Sequence, residues 1–264
     1  MRNENKVRET LYNRKGFLMN NKIIFPGTEI ISLALYLKKE KTLVLGDLHI
    51  GQEENLNKQG IMMPRTNFTK LKEEILKIFS KTDEIKKIIL LGDVKHEFNI
   101  ASNQEWREVV EFIEILEKKC KKIIIIKGNH DNFLKPIAAW KKIELIDSIL
   151  IGKVFFCHGD KIILTKKAEK AKYIIIGHEH AAVMLKDEHK SEKFKCFAKT
   201  LFGKGIHKKQ IIVMPSLNFL TIGTDLVKEK PISPYLEGIN TFECWIIEEG
   251  QSFYFGKIKT YIKP

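Results

Sequence analysis

Short uninterrupted runs of apolar residues, each followed by a turn rich in Gly, Asp, Asn or His, constrain the fold of this chain more than any other feature. Five such runs lie between residues 41 and 180, at 43–45, 88–91, 123–126, 154–156 and 173–176. Apolar residues in succession, instead of in alternation with polar ones, are typical of strands that are covered on both faces. The runs therefore predict buried strands inside a layered protein.

Helical patterns separate the first of these runs. One pattern begins at Phe68, with Thr66 or Asn67 available as its N-cap, and a second follows a predicted capping box of Ser102 and Glu105. Alternating strands and helices are the signature of an α/β layered domain. The sequence thus predicts the α/β class for this half of the chain.

Strand-like segments dominate beyond residue 180. Two of them, 241–247 and 252–258, flank Glu249 and Gly250, a pair that suits a hairpin turn. This half of the chain predicts a second, more antiparallel sheet.

A lysine-rich stretch at residues 186–210 has two interpretations. It contains Phe194, Phe197 and Phe202 among its lysines, a mixture that a nucleic-acid-facing flap would use. An ordinary insertion with solvated lysines and packed phenylalanines has the same composition.

Composition bounds the class of protein. A chain of 264 residues with 44% hydrophobic residues can form one sizeable core, which excludes disordered, collagen-like and disulfide-scaffold proteins. The net charge of +13 favours anionic partners such as nucleic acid, nucleotides or membrane phosphate, although solvated lysines give the same charge.

No apolar stretch reaches the roughly 18 residues of a membrane span. We expect a cytoplasmic protein with reduced cysteines, in which residues 1–21 form a flexible arm and residues 22–264 a single domain.

The histidines gather at predicted strand ends. The loops at such ends converge on one crevice in open α/β sheets, where Asp and Asn side chains would join the imidazoles. Oxygen and nitrogen donors without thiolate suit Mn²⁺, Fe²⁺ or Zn²⁺ and argue against a structural zinc site. Each motif alone is a weak signal, but their joint occurrence favours a metal centre. Six of the eight histidines take part: His49, His96, His130, His158, His178 and His180.

The turns follow one another in a specific order. They read D-x-H from Asp47, G-D-x-x-H from Gly92, G-N-H-D from Gly128, H-G at His158 and G-H-x-H from Gly177. This ordered set resembles the calcineurin-like metallophosphoesterase superfamily. The resemblance implies an α/β fold in which a layered β-sandwich is flanked by helices and carries a centre for two divalent metal ions.

The resemblance also implies roles for individual residues. Mn²⁺ is the first metal expected, with Fe, Zn or Ni as alternatives. His130, which matches no ligand position, is the expected general acid, and His96 is expected to support it. One ion is implied to bind Asp47, His49, Asp93 and His180, and the other to bind Asp93, Asn129, His158 and His178.

The second motif, G-D-x-x-H from Gly92, indicates which groups within the superfamily this chain resembles. His96 is typical of the double-strand-break-repair nucleases of the superfamily, whereas phosphoprotein phosphatases have Asp there, followed by Arg in place of Glu97. The segment 92–98, GDVKHEF, resembles small archaeal and bacterial phosphoesterases related to those nucleases, and residues 214–218 and Gly223 match that group in outline. This likeness implies DNA-repair proteins as partners.

Three functions follow from these observations. We expect a phosphodiesterase or nuclease acting on DNA or RNA. The alternatives are a small-molecule phosphoesterase for nucleotides or cyclic nucleotides, and a non-catalytic interaction module of a repair complex. The complete ligand set favours an enzyme, because a binding surface does not require it.

Several residues inside the motifs have no implied ligand role. Lys95 either faces substrate phosphate or extends its ammonium into water. Asp131, Asp160 and Glu179 either hydrogen bond to the imidazoles and fix their tautomers or face solvent in the turns.

Overall fold

The computed structural model describes residues 21–98, 102–186, 191–203 and 208–260. The predicted arm at residues 1–21 lies outside the described residues except for Asn21. None of the helices in the described part of the chain combines the length and apolar composition that a membrane crossing requires.

The first sheet has six strands that follow one another in chain order. Its first three strands pair antiparallel, and its third to sixth strands pair parallel. The strands are β1 (Thr28–Ile31), β2 (Ala34–Leu37), β3 (Thr42–Leu45), β4 (Lys87–Leu91), β5 (Ile123–Ile126) and β6 (Glu144–Ile146).

Buried apolar runs form the centre of this sheet, as the sequence predicts. Val44 of β3 pairs with Ile89 of β4, and Ile89 with Ile124 of β5. All side chains of β3 and β5 are buried. The register aligns the ends of these strands and therefore the turns that follow them.

Five α-helices accompany the strands in the described part of the chain. They are α1 (Gln52–Lys58), α2 (Asn67–Lys81), α3 (Asn103–Lys119), α4 (Lys135–Trp140) and α5 (Lys166–Lys170). The longest two, α2 and α3, bury one apolar face each, including Ile75 and Ile113, as the helical spacing predicts.

The second sheet has nine strands and is mixed. Numbered in chain order, the neighbouring strands from one edge to the other are 13, 10, 11, 12, 9, 8 and 7. Strand 14 pairs with strands 11 and 15. The strands are β7 (Ser148–Ile151), β8 (Val154–Cys157), β9 (Tyr173–Ile176), β10 (Ala181–Lys186), β11 (Ser191–Phe202), β12 (Lys209–Val213), β13 (Thr224–Asp225), β14 (Thr241–Glu248) and β15 (Gln251–Lys259).

The second sheet begins earlier in the chain than the sequence predicts. The prediction placed the change of character after residue 180, yet β8 and β9 already belong to this sheet and pair parallel to each other. A buried parallel strand has the same continuous apolar sequence in either sheet. The local pattern therefore identifies these strands without assigning them to a layer.

The two sheets pack against each other. Ile89 of the first sheet shares one buried cluster with Phe156 and Ile175 of the second. Their neighbours Phe155 and Ile174 point to the opposite face and belong to a second cluster. The structure confirms a layered α/β fold with two sheets and flanking helices.

The lysine-rich stretch is an integral part of the second sheet. Its central part is β11, which pairs with β10, β12 and β14. Phe194 and Phe197 are buried in the core, so the phenylalanines are packed, as the second interpretation expected. Residues 187–190 and 204–207 lie outside the described residues.

The predicted helix caps are correct in part. The Ser102 hydroxyl accepts a hydrogen bond from the Glu105 amide at 3.1 Å, but the Glu105 carboxylate binds the amides of His96 and Glu97 at 2.8 Å each. The capping box is thus half formed, because its carboxylate serves a neighbouring loop. Neither Thr66 nor Asn67 caps α2 through its side chain, a role that the buried Glu53 carboxylate takes over by accepting both of their amides.

Removal of the Ser102 cap should destabilise the protein. We expect Ser102→Ala to lower the free energy of unfolding by about 1 kcal/mol, since the Glu105 amide loses its acceptor. Urea unfolding measures this difference. Ser80→Ala, at the exposed end of α2, is the control and should change the free energy by less than about 0.5 kcal/mol. Equal losses in both variants would contradict the capping role.

Candidate metal centre

The carboxyl ends of five strands from both sheets bring the sequence motifs together. Three of these strands, β3, β4 and β5, belong to the first sheet, and β8 and β9 belong to the second. The turn after each strand supplies side chains to one region. In chain order these are Asp47 and His49, Asp93 and His96, Asn129 and His130, His158, and His178 and His180.

One group of possible ligand atoms comes from Asp47, His49, Asp93 and His180. The four atoms all lie within 4.8 Å of one another. His49 Nε2 is 3.1 Å from His180 Nε2 and 3.6 Å from Asp93 Oδ2. These are the four residues that the resemblance implies for the first ion.

A second group contains Asp93, His158 and His178, whose ligand atoms also lie within 4.8 Å of one another. His158 Nε2 is 3.3 Å from Asp93 Oδ2 and 3.1 Å from Asn129 Oδ1. His158 Nδ1 donates to the Leu91 carbonyl at 3.0 Å, which directs Nε2 toward the carboxylate. The implied second ligand set is therefore also gathered in one place, with Asp93 common to both groups.

His96 and His130 lie beside these groups. His130 Nδ1 donates to the His96 carbonyl, and the His130 amide donates to Asp93 Oδ1 at 3.0 Å. His96 Nδ1 is 3.2 Å from His49 Nδ1. His96 thus contacts His130 through its main-chain carbonyl and also through its ring, whose centroid is 5.4 Å from that of the His130 ring. Together with His49 they form a third group of nitrogen donors, which the sequence did not predict.

Five of the predicted ligands have a left-handed backbone. Asp47, His49, Asp93, His178 and His180 have φ angles of 51°, 45°, 48°, 63° and 49°. Such a conformation costs a non-glycine residue on the order of 1 kcal/mol and is concentrated at functional sites. Hydrogen bonds offset part of this cost, since the Asp47 carboxylate accepts the His178 amide at 3.0 Å. Local sequence patterns did not predict this strain.

Glycine is required where the motifs approach one another. A Cβ atom at Gly92, where φ is 86°, would lie 2.1 Å from His158 Nδ1. A Cβ atom at Gly128 would lie 2.2 Å from Asp93 Oδ1. Any larger residue at either position would displace a predicted ligand.

The two carboxylates are buried and ionised. Asp47 is 0% and Asp93 2% exposed. Burial acts to raise the pKa of each, but His180 and His158 around Asp47, and His158 and His49 around Asp93, hold both pKa values below their usual range. The site therefore carries two negative charges that need a cationic partner.

The imidazoles divide into two kinds. Burial, with the nearby His180, lowers the pKa of His49 to about 3, and burial, with His130, lowers the pKa of His96 to about 4. Burial disfavours a charged His158, but Asp93 and Asp47 raise its pKa to about 10. Neutral imidazoles are competent metal ligands, and a divalent ion could replace the charge of His158. Oxygen and nitrogen donors around two buried carboxylates fit the metal ions that the sequence implies.

Buried carboxylates next to the ligands hold the loops. Asp131 accepts the amides of Gly128 and Val94 at 2.9 and 3.0 Å, and Glu179 accepts those of Ile232 and Ser233 at 2.9 and 2.8 Å. The expected hydrogen bonds to imidazoles are replaced by bonds to main-chain amides. These carboxylates therefore fix the loops rather than the imidazole tautomers.

Asp160 and Lys95 are the other two motif residues without an implied ligand role. Asp160 is partly exposed, in agreement with a turn residue. Lys95 is 0% exposed, near the carboxylates of Glu105 and Asp131, so both of its predicted environments were wrong. Burial lowers the pKa of Lys95, and these carboxylates oppose the shift.

A cleft of about 490 Å³ opens beside the metal centre. Asn218 Nδ2 donates to Gln52 Oε1 at 2.5 Å across one wall, and Lys193 Nζ donates to the Gly223 carbonyl at 3.1 Å in another. Sequence analysis missed Gln52, which lies within no motif, whereas Lys193 belongs to the lysine-rich stretch 186–210. The cleft is lined by His49, His96, His180, Gln52, Lys193, Asn218 and residues 221–224.

Two packed sheets with these clusters at their strand ends define a metallophosphoesterase fold and site. The model of the calcineurin-like phosphoesterase family matches residues 40–182, which is more than half of the chain. The chain belongs to this family.

Solved structures resemble this chain, and the first of the following three has the same fold. The nuclease MPE of Pseudomonas putida is 16% identical, with a TM-score of 0.60 over 86% of this chain and 94% of that one. A predicted phosphoesterase of Streptococcus pneumoniae is 13% identical, with a TM-score of 0.33 over 83% and 96% of the two chains. Vacuolar protein sorting 29 of Cryptosporidium parvum is 15% identical, with a TM-score of 0.35 over 83% and 97%. No protein with curated function matches this sequence significantly.

Loss of the shared carboxylate should abolish metal binding at both positions. We expect the unaltered protein to bind two Mn²⁺ ions per chain and Asp93→Ala to bind neither tightly, since Asp93 belongs to both ligand groups. Elemental analysis after dialysis measures the content. Asp160→Ala, which removes a nearby carboxylate outside both groups, should bind the full amount. Full metal content in Asp93→Ala would contradict the shared role.

Proposed function

We propose that this protein is a metal-dependent phosphodiesterase that acts on nucleic acid or on nucleotide diesters. The observation that carries the proposal is the gathering of all seven predicted ligands into two adjoining groups that share Asp93. Membership of the calcineurin-like phosphoesterase family supports phosphoester hydrolysis as the reaction class. The complete ligand set speaks against a non-catalytic interaction module. The DNA-repair partners and cytoplasmic location expected from the sequence stay predictions.

Two divalent ions would be held by side chains that the strand ends already gather. When bound, such a pair makes water nucleophilic at neutral pH and neutralises phosphate oxygens. Mn²⁺ is the proposed metal because carboxylate, amide and imidazole donors suit it, and Fe, Zn and Ni are the alternatives. One position would use Asp47, His49, Asp93 and His180, and the other Asp93, Asn129, His158 and His178.

His130 is the proposed general acid. Its Nδ1 donates to the His96 carbonyl, which leaves Nε2 as the ring nitrogen available to a substrate. In its imidazolium form, His130 can pass the Nε2 proton to the oxygen of the departing alcohol, which would otherwise leave as a strongly basic alkoxide, and the ring remains as the neutral imidazole with its proton on Nδ1. His96 supports this role by fixing the tautomer through its carbonyl oxygen.

The cleft suggests the size of the substrate. Its volume of about 490 Å³ lies within the range of small-molecule sites and would admit a nucleotide beside the metal centre. The net charge of +13 favours a polyanion, and Lys193, whose ammonium pairs with Glu229 at 2.7 Å, is a lysine that lines the cleft. The Pseudomonas putida relative is a nuclease, which agrees with this proposal. The cleft volume equally favours the alternative, a phosphoesterase for free or cyclic nucleotides.

A substrate screen tests the proposal. Single-stranded DNA, duplex DNA and RNA would be compared with cyclic nucleotides and simple phosphoesters in the presence of Mn²⁺. We expect metal-dependent hydrolysis of diesters that is lost in Asp93→Ala. Failure to hydrolyse every diester with each of the four candidate metals would overturn the proposed function.

Removal of His130 should separate catalysis from metal binding. We expect His130→Ala to lower kcat for a nucleotide diester by about 10²- to 10⁴-fold, the usual contribution of a general acid, because the leaving oxygen then departs without its proton. Metal content should stay near that of the unaltered protein, since His130 is in neither proposed ligand set. Full activity in this variant would remove His130 from proton transfer.

Neutralising Lys193 should weaken the binding of long substrates. We expect Lys193→Gln to raise KM for an oligonucleotide roughly three- to tenfold through loss of a charged contact, and to leave a small chromogenic diester unaffected. Steady-state kinetics on both substrates measure the effect. Lys199→Gln is a matched control, because both lysines lie on β11 and pair with a carboxylate, Lys193 with Glu229 at 2.7 Å and Lys199 with Glu243 at 2.8 Å, but Lys199 does not line the cleft. Equal effects on both substrates would count against this contact.

A further inference from the structure

Phe98 is a large apolar residue at an exposed position beside the metal centre. It is 52% exposed, yet its ring stacks on the His130 imidazole with centroids 3.7 Å apart and an angle of 30° between the planes. The metal-ligand and general-acid assignments leave this contact without a role.

The His130 ring is held at two places by one short segment. His130 Nδ1 donates to the carbonyl of His96, two residues before Phe98. A hydrogen bond at one atom leaves the ring able to rotate about the bond, whereas contact with a second ring restricts the plane. The rings of His49 and His96 also lie beside His130, with centroids 4.9 and 5.4 Å away, but the Phe98 ring is the nearest of the three. The hydrogen bond and the Phe98 contact together therefore restrict both the position and the orientation of Nε2.

The segment that provides these contacts is itself anchored. The Glu105 carboxylate, on α3, accepts the amides of His96 and Glu97 at 2.8 Å each, and the His96 amide also donates to the Ile50 carbonyl at 2.9 Å. Glu105 is buried, with 2% of its surface exposed. Phe98 thus extends from a fixed loop and can act as a wall against which the imidazole rests.

We propose that Phe98 is a positioning residue that holds the His130 ring in the orientation needed to reach the leaving oxygen of the phosphodiester. This inference rests on the proposed function and names the residue that makes the general acid effective. Small misplacements of a reacting group reduce rates greatly, by as much as about 10²-fold for 1 Å. Phe98 takes no part in the reaction itself. The bond that breaks and the proton that moves are those of the proposed hydrolysis.

Two substrates with different leaving groups can distinguish a positioning role of Phe98 from a general distortion of the site. A nitrophenolate leaves without a proton, whereas the sugar alkoxide of a dinucleotide needs one. Loss of acid alignment should therefore slow the dinucleotide selectively. A general distortion of the site would slow both substrates, because both use the same metal centre.

The experiment compares Phe98→Ala, Phe98→Tyr and the control Phe133→Ala on bis(p-nitrophenyl) phosphate and a dinucleoside monophosphate, each with Mn²⁺. Phe133 is also an exposed phenylalanine, 46% exposed, and follows His130 by three residues. We expect Phe98→Ala to lower kcat for the dinucleotide about tenfold or more, without a change in KM, and the aryl ester less than about threefold. Phe98→Tyr keeps the ring and should restore the rate, and Phe133→Ala should resemble the unaltered protein.

Four results would overturn the inference. Equal losses on both substrates indicate a merely structural role, and a raised KM with unchanged kcat indicates that the ring contacts the substrate instead. The His130→Ala variant distinguishes failure of the Phe98 positioning role from failure of the His130 general-acid role on which it rests. If His130→Ala slows only the dinucleotide and Phe98→Ala slows neither substrate, the inference alone fails. If His130→Ala slows both substrates equally, the proposed acid role fails and the inference fails with it.

Discussion

Two buried carboxylates, Asp47 and Asp93, impose the constraint on which the site depends. They are 0% and 2% exposed, and a negative charge removed from water must be compensated by positive charge or strong hydrogen bonds. Here imidazoles surround both groups, and main-chain amides of His178 and His130 bind them. The left-handed backbone at the ligands is tolerated because these contacts hold it in place. A pair of divalent cations is the partner that such an anionic pocket fits.

The packing of two sheets determines where this pocket forms. Asp47 and Asp93 follow strands of the first sheet, whereas His158 follows a strand of the second. Ile89 and Phe156, one from each sheet, lie in the same buried cluster and keep the two sets of strand ends together. The core and the metal centre are therefore linked, since a shift between the sheets would separate His158 Nε2 from Asp93 Oδ2. The arrangement of the candidate metal centre in this protein thus depends on how the two sheets pack.

The sequence predicted local features better than contacts between distant parts of the chain. Continuous apolar runs identified the buried strands, and the ordered turns identified every residue that the structure gathers into the two groups of possible ligands. What could not be predicted depended on contacts between distant parts of the chain. Glu105 looked like a capping residue but binds His96, Lys95 looked solvated but is buried, and Gln52 meets Asn218 across a cleft. Each outcome is decided by tertiary packing, which local spacing does not contain.

The most direct test of the account is anomalous X-ray diffraction from crystals grown with Mn²⁺. It locates bound manganese independently of any activity. The account predicts two manganese peaks about 3.5–4 Å apart, with one carboxylate, that of Asp93, in contact with both. A single ion that does not touch Asp93, or manganese bound away from the strand ends, would contradict it.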